Sequence, residues 1–294
     1  MFACLQLTQK ESHPLRDWRR PPQPQLVRVD CPGGGPFFRL EAPCRKGGGP
    51  DWALVEQAAG RLRTKMLFPE GVVPPAPPEP ATPARAQMEP GLRAYVPKRL
   101  PLLLSLRCAQ QVLRATAAPA QSLRVTVVDS KGVLCRSLEA IVPLAGSLRV
   151  FSTDLSAWRG VAAGLLARYG VTLILSDSVG CFAQSDVVIA SDLSLFTGRE
   201  RGLIFTPDRT PLPGCRVVRC NDPVLPESCA GLAPEGIDTL LFASALYELC
   251  GVKEMERLQF GGFGFDGVSQ RYTLEDLAAI LENSCAAALD GNIR

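Results

Sequence analysis

The side chains best placed for chemistry follow short apolar runs in the second half of the chain. Because the carboxyl ends of parallel strands share one edge of a sheet, a ligand site is predicted there. The candidate cofactor-binding residues are Asp129, Ser130, Lys131, Gly132, Asp154, Ser191 and Asp192, with Asp177 and Thr206 at two further strand ends. Lys131 and the amides near Gly132 could hold one phosphate or carboxylate. A plainer interpretation, which we favour, is that residues 129–132 form a turn and helix start capped by Asp129 or Ser130.

Carboxylates at these strand ends also bear on metal binding. Asp129, Asp154, Asp177 and Asp192 could hold Mg²⁺ if their side chains turned toward one another. Their spacing follows from the repeat of the strands and matches no known carboxylate motif. No metal is therefore expected.

Histidine and cysteine usage excludes several kinds of catalytic site. The single histidine, His13, lies in a polar stretch followed by proline. Ser-His-Asp and Cys-His sites, His-ligated zinc and a histidine base are therefore not expected. The 11 cysteines include no CxxC pair, and the spacing of Cys215, Cys220 and Cys229 fits no common zinc pattern. Free thiols in a reducing compartment are therefore expected. Because these catalytic sites are not expected, a non-enzymatic function is favoured over an enzymatic one.

Charge and hydropathy limit the partners. The 294 residues carry a net charge of +3. Residues 1–118 hold 17 Lys and Arg against 9 Asp and Glu, a surplus that could face nucleic acid or an acidic partner. Because these arginines are scattered among few aromatics, we interpret them as a solvated surface and expect no nucleic-acid binding. No apolar run approaches the ~20 residues of a membrane span and no secretory leader opens the chain, so a cytoplasmic location without membrane contact is expected.

Composition divides the chain into five segments. The expected boundaries are 1–24 for a disordered lead-in, 25–71 for a small α+β N-terminal region, 72–96 for a Pro-rich linker, 97–233 for an α/β domain with a leading helix, and 234–294 for a C-terminal helical tail. A hairpin of strands 25–29 and 36–40 is expected in the second segment. The linker contains a PxxP match at residues 75–78, so a protein partner could bind there, although a spacer is the preferred interpretation.

Short apolar strands alternate with helical stretches in the second half, which predicts a mostly parallel, doubly wound sheet. The strands are expected at residues 123–128, 148–151, 171–175, 186–190, 203–205 and 216–219. The helices are expected at residues 97–116, 133–143, 157–169, 235–250 and 273–289. Since residues 206–215 are too few for a helical crossover, the last strand is expected to be antiparallel.

Three strand motifs resemble those of a Rossmann-type domain: Val125-Thr-Val-Val-Asp129, Arg149-Val-Phe-Ser-Thr-Asp154 and Gln184-Ser-Asp-Val-Val-Ile-Ala190. With the helices before and after them, they are similar to the cofactor halves of shikimate-dehydrogenase-type and glutamyl-tRNA-reductase-type enzymes. The chain resembles a group of uncharacterised bacterial proteins with such a Rossmann-like C-terminal half. The resemblance covers residues 122–220 and implies a fold and no activity.

The first turn departs from the dinucleotide fingerprint, which needs three glycines. The turn has one glycine, Gly132, and the carboxylate of Asp129 would repel a pyrophosphate. Asp154 lies 22 residues after Gly132, where an NAD-binding domain places its ribose-binding acid, so NAD(P) stays open as a cofactor. The literal GxGxxG at residues 262–267 follows no predicted strand and is expected to be a flexible glycine loop.

These observations lead to two principal functional hypotheses. The first is a non-catalytic or regulatory module that binds a ligand or a protein partner and has lost dinucleotide binding. The alternative is an NAD(P)- or other nucleotide-dependent enzyme whose site lies at the carboxyl ends of the parallel strands. A third hypothesis, binding of nucleic acid or an acidic partner by the basic N-terminal part, predicts strongly salt-dependent binding.

Overall fold

A computed structural model describes residues 1–8, 23–44, 49–60, 64–75, 92–266 and 268–291. The strands are β1 Phe2–Thr8, β2 Gln25–Val29, β3 Phe37–Pro43, β4 Lys65–Leu67, β5 Arg93–Ala94, β6 Arg124–Val128, β7 Ser147–Phe151, β8 Leu173–Ser176, β9 Val187–Ala190, β10 Leu203–Phe205, β11 Arg216–Val224 and β12 Gln259–Phe265. The helices are α1 Trp52–Gly60, α2 Leu100–Ala115, α3 Ser156–Tyr169, α4 Glu227–Ala230, α5 Thr239–Cys250 and α6 Leu274–Gly291. The chain is an α/β protein.

Two compact units make up the chain. The first unit contains Met1–Pro97 and Val224–Leu258, and the second contains Lys98–Pro223 and Gln259–Arg294. This division differs from the expected one, because the predicted C-terminal tail is shared: α5 belongs to the first unit and α6 to the second. Each helix has an apolar face, and sequence alone does not say which sheet covers it.

The first unit is built on a five-stranded sheet with the order β2-β3-β1-β4-β5. β1 pairs in parallel with β3 and β4, while β2 and β3 form the predicted antiparallel hairpin. The disordered lead-in was therefore a wrong prediction for Phe2–Thr8, which form the central strand. Residues 9–22 lie outside the described part. Part of the expected linker is also a strand, because β5 pairs with β4, while residues 76–91 lie outside the described part.

Both faces of this first sheet are packed. On one face, Val55 and Ala59 of α1 join Leu5, Leu40 and Met66 in one apolar cluster. On the other face, the Phe2 and Phe37 rings stack with centroids 5.1 Å apart, and Phe242 of α5 meets both edge-on. Such aromatic burial is a main source of stability in a unit of this size.

The second unit is built on a seven-stranded sheet with the order β12-β11-β10-β9-β6-β7-β8. From β8 to β11 every neighbouring pair is parallel. When β6 is counted as the first strand, this segment has the 3-2-1-4-5-6 order of a Rossmann fold. The mostly parallel Rossmann-like sheet predicted from the sequence is therefore present.

The two faces of this sheet are covered differently. Alternate residues of β6, such as Val125 and Val127, pack in a cluster with residues of α2, α3 and α6. Val128 faces the other way and packs with Phe182 and Phe196 from the connecting loops. Helices therefore cover one face and loop side chains the other.

Two connections in the second unit differ from prediction. The helix expected at residues 133–143 is a turn followed by 3-10 turns at Leu138–Ala140 and Val142–Leu144. Pro143 has no N–H for an α-helical hydrogen bond, and the buried Leu138 serves the core equally well from a 3-10 turn. The last connection also differs, because β11 pairs with β10 in parallel. Residues 206–215 cross over without a helix, with Leu212 packed against the sheet.

The predicted glycine loop is a strand. Gly262 and Gly264 lie within β12, which is the neighbour of β11 in the sheet, while Gly267 lies outside the described part. Phe263 N–H donates to the carbonyl of Tyr272, and Tyr272 N–H donates back to Phe263. Glycine lowers strand propensity, so the sequence signal was weak and sheet pairing decides the conformation.

Among the residues that the structure describes, no helix is both long enough and apolar enough to cross a membrane.

Candidate functional site

The predicted site residues lie along one edge of the sheet in the second unit. Val128, the last residue of β6, is level with Phe151 of β7 and Ala190 of β9, and Phe151 is level with Ser176 of β8. The polar residues that follow these strands therefore share the carboxyl edge, where open α/β sheets bind ligands.

Asp129 uses its side chain to close the turn after β6. It is fully buried, and its two carboxylate oxygens accept hydrogen bonds from the amides of Lys131 at 3.1 Å and Leu134 at 2.7 Å. Gly132 supplies the left-handed residue that this turn needs, with φ +66°. Amide groups that could have faced an anion are thus bound by the protein's own carboxylate.

Burial determines the protonation behaviour of this carboxyl. It raises the pKa of Asp129, and the hydrogen bonds from the amides of Leu134, Lys131, Gly132 and Val133 offset that rise only in part. A second anion placed beside the ionised Asp129 carboxylate would be repelled by it, in addition to the cost of burying the carboxylate.

Ser130, the half-buried neighbour, and the exposed Lys131 do not contribute to this network through their side chains in the described contacts. The predicted cap is therefore Asp129, and it closes a turn in place of the expected helix start.

The loops after β7 and β8 repeat the same local device. Asp154 is exposed, and its carboxylate accepts from the amide of Ser156 at 3.0 Å and from the Ser156 hydroxyl. These hydrogen bonds lower the pKa of Asp154. After β8, the Ser176 hydroxyl accepts from the amide of Ser178 at 3.1 Å, while Asp177 is exposed. Each loop binds its own first amides.

The loops after β9 and β10 are joined by a carboxylate that sequence reasoning missed. The Asp192 carboxylate accepts from the hydroxyls of Ser191 and Ser194. Asp208, three residues after the end of β10, accepts from the amide of Leu193 at 2.8 Å and from the amide of Thr210. Because the bond between Asp208 and Leu193 joins two separate loops, no local pattern could have identified it.

Thr206 is buried, and its hydroxyl accepts from the amide of Asp208 at 3.1 Å. It therefore holds the Asp208 loop in place and does not face outward as a ligand-binding hydroxyl would.

An ion pair fixes this loop from the strand side. The Arg219 guanidinium binds the Asp266 carboxylate through two hydrogen bonds of 2.7 and 2.6 Å. It also donates to the carbonyls of Asp208 and Thr210. The pair is mostly buried, with side-chain exposures of 18% and 23%, and the hydrogen bonds from Arg219 lower the pKa of Asp266.

We expect Asp266→Asn to destabilise the second unit by about 1–2 kcal/mol at pH 7. We also expect the variant's free energy of unfolding to fall less steeply than the parent's as the pH is lowered below about 4. The folded-state pKa of Asp266 lies below the unfolded value of about 3.9, so its contribution is complete above about pH 4 and is lost as pH falls through the folded-state pKa. Urea unfolding from about pH 3 to pH 7 measures this.

Asp222→Asn is the matched control for this pH series. Its pair with Arg271 is 2.8 Å long but exposed, at 54% and 70%, so little change is expected. The prediction would be contradicted if the free energy of unfolding of Asp266→Asn fell with decreasing pH as steeply as that of the parent.

Trp158 of α3 supports the Asp129 turn from beneath. Its side chain is fully buried, and its indole N–H donates to the backbone carbonyl of Asp129 at 3.3 Å. The sequence places this residue only within the helix expected at residues 157–169. The signal in the sequence that could have marked Trp158 as buried is a tryptophan in a helix that otherwise has only a weak apolar face.

The carboxyl edge of the sheet is acidic, and its carboxylates are hydrogen-bonded mainly to groups of the same loops. An aspartate follows each of the five strands from β6 to β10: Asp129, Asp154, Asp177, Asp192 and Asp208. The carboxylate hydrogen bonds described for Asp129, Asp154, Asp192 and Asp208 stay within their own loops or the next one. Among the described residues, no group of three His, Cys, Asp or Glu side chains is placed to hold a metal ion. The loop after β6 does not fit a dinucleotide pyrophosphate, because the Asp129 carboxylate already occupies its amides.

Comparison with known proteins gives little guidance. No protein-family profile matches the sequence, and no curated protein matches it. Several solved structures do match, among them the following three. Delta(1)-pyrroline-2-carboxylate reductase from Thermococcus litoralis, in complex with NADH and L-proline, is 12% identical with a TM-score of 0.26, and the match covers 35% of this chain and 36% of that one.

The other two matches are longer. L-tryptophan dehydrogenase from Nostoc punctiforme is 11% identical with a TM-score of 0.34, over 99% of this chain and 82% of that one. Quinate dehydrogenase from Corynebacterium glutamicum, in complex with NAD, is 13% identical with a TM-score of 0.29, over 87% of this chain and 97% of that one. All three likenesses are distant, and the Rossmann-like fold is shown by the strand order and the parallel strand directions.

Proposed function

We propose that the second unit is a Rossmann-like module that acts without a dinucleotide, as a non-catalytic or regulatory domain for another ligand or a protein partner. The observation that carries the proposal is that the buried Asp129 carboxylate accepts hydrogen bonds from the amides of Lys131 and Leu134. In nucleotide-binding members of this fold, the amides of the same turn bind the pyrophosphate.

Electrostatics supports the same proposal. A phosphate held about 4 Å from the Asp129 carboxylate would be repelled by about 4 kcal/mol at the effective dielectric of a protein surface. Exposed carboxylates at Asp154 and Asp177 add to this repulsion. A helix N-terminus would offset it, but residues 133–143 form turns in place of an α-helix.

One observation favours the alternative, a nucleotide-dependent enzyme. Asp154 is exposed at the end of β7, the second strand of the Rossmann order, where a ribose-binding acid belongs. A nucleotide could use this carboxylate while its phosphates avoid the Asp129 turn. Any acid–base step would then need Asp, Glu, Lys, Tyr or Cys side chains, since His13 is the single histidine.

Thermal unfolding with NAD⁺, NADP⁺, FAD, S-adenosylmethionine, ATP and sugar phosphates separates the two hypotheses. A ligand present at about 100 times its dissociation constant adds about 2.7 kcal/mol of stability. We expect no shift with either nicotinamide dinucleotide.

Two variants make the test specific. A shift with NAD⁺ that Asp154→Ala removes and Asp177→Ala keeps would overturn the proposal in favour of the enzyme, because both acids are exposed at neighbouring strand ends. No shift with parent protein would leave the module as proposed and direct the search to protein partners.

A further inference from the structure

Two cysteine side chains of the second unit are in contact. The Cys220 thiol on β11 and the Cys108 thiol on α2 share a hydrogen bond, with the two Sγ atoms 3.6 Å apart. Both belong to the same core cluster, with Cys108 buried and Cys220 at its partly buried margin. The cysteines are free in this structure, and 112 residues separate them along the chain.

The two sulfur atoms are within reach of a disulfide bond. A disulfide bond is about 2.05 Å long, so the sulfurs must approach by about 1.5 Å, which small side-chain rotations can supply. The contact joins α2, the helix that precedes β6 in the chain, to β11. In the sheet, β9 and β10 lie between β6 and β11. A covalent bond there would close a loop that contains all the strands from β6 to β10.

We propose that Cys108 and Cys220 form an oxidation site at which hydrogen peroxide closes a reversible disulfide. This inference goes beyond the proposed function and does not rest on it. The partly buried Cys220 reacts first, because it is the member of the pair that solvent reaches.

The chemistry balances in two steps. The Cys220 thiolate attacks one peroxide oxygen, the O–O bond breaks, and the leaving hydroxide takes a proton to become water, which leaves a sulfenic acid. The Cys108 sulfur then attacks the Cys220 sulfur, the S–O bond breaks, and the Cys108 proton leaves with the hydroxide as a second water. The two thiols lose two electrons and the peroxide gains them.

The order of the two steps agrees with the environment of Cys108. Its hydrogen bond with Cys220 and its burial raise the pKa of Cys108, so this thiol is protonated at neutral pH and reacts second. A thiol that stays protonated is protected from direct oxidation by peroxide.

The test is peroxide treatment of the full chain, followed by mass spectrometry and thermal unfolding. We expect a mass lower by two hydrogen atoms and a linked peptide pair containing Cys108 and Cys220, both reversed by a thiol reductant. Peptide mapping is needed because the first unit has cysteines of its own. Since a disulfide that closes a loop of this length restricts the unfolded chain, the unfolding temperature is expected to rise by about 5–10 °C.

Matched variants sharpen the outcome. Cys220→Ser is expected to lose both the linked peptide and the temperature rise, and Cys181→Ser, at another half-buried cysteine of this unit, is expected to keep both. Peroxide-treated parent protein that carries sulfinic or sulfonic acid at Cys220 and no linked peptide would overturn the proposal. That measurement needs no variant, so it decides the matter even if Cys220→Ser folds poorly.

Discussion

Asp129→Ala is expected to lower the free energy of unfolding of the second unit by about 3 kcal/mol. The change removes the acceptor of the amides of Lys131 and Leu134, and the Leu134 amide is buried away from solvent. A buried donor without a partner costs about 1–3 kcal/mol, and the vacated carboxyl volume adds to this. Urea unfolding followed by far-UV circular dichroism measures the loss.

Two further variants separate the contribution of the hydrogen bonds from that of the charge. Asp129→Asn keeps an acceptor oxygen but directs an amide group toward backbone N–H groups, so a loss smaller than that of Asp129→Ala is expected. Asp154→Ala, at an exposed position where water can bind the freed Ser156 amide, is expected to change stability little. If Asp129→Ala were as stable as the parent, the carboxylate would not be holding the turn, and the amides of the turn would be open to a pyrophosphate.

Local patterns predicted most of the second unit. Apolar runs such as Leu203–Phe205 are buried on both faces, so strand formation and burial agree in the sequence. The turn at Asp129 was also predicted, because an aspartate next to Ser, Lys and Gly caps its own loop. These features depend on neighbours within about five residues, which a sequence displays directly.

The features that escaped prediction depend on distant contacts. Phe2–Thr8 includes Ala3, which has weak strand propensity, and the segment is a strand because β3 and β4 pair with it on both sides. β11 is parallel because Leu212 and its neighbours cover the sheet without a helix. The bond from Leu193 to Asp208 joins separate loops. In each case the deciding partner lies elsewhere in the chain.

Trp158→Ala is expected to produce the largest loss of stability, about 3–5 kcal/mol in the free energy of unfolding of the second unit. Trp158 and Leu165 are the two buried side chains described for α3, so this helix is attached to the sheet chiefly through them. Removing the indole leaves a cavity and also removes the hydrogen bond to the Asp129 carbonyl. Urea unfolding measures the change, and Leu166→Ala, at a 56% exposed position of the same helix, is the control expected to have little effect.

Combining Trp158→Ala with Asp129→Ala tests whether α3 and the turn after β6 form one structural unit. If they do, the loss in the double variant is smaller than the sum of the single losses by about 0.5–3 kcal/mol, because each change already loosens the support of the other. Additive losses would mean that the turn holds its shape without the tryptophan. The closure of the anion-binding amides would then depend on Asp129 alone, and a single substitution at that position would be the shortest route to opening the site.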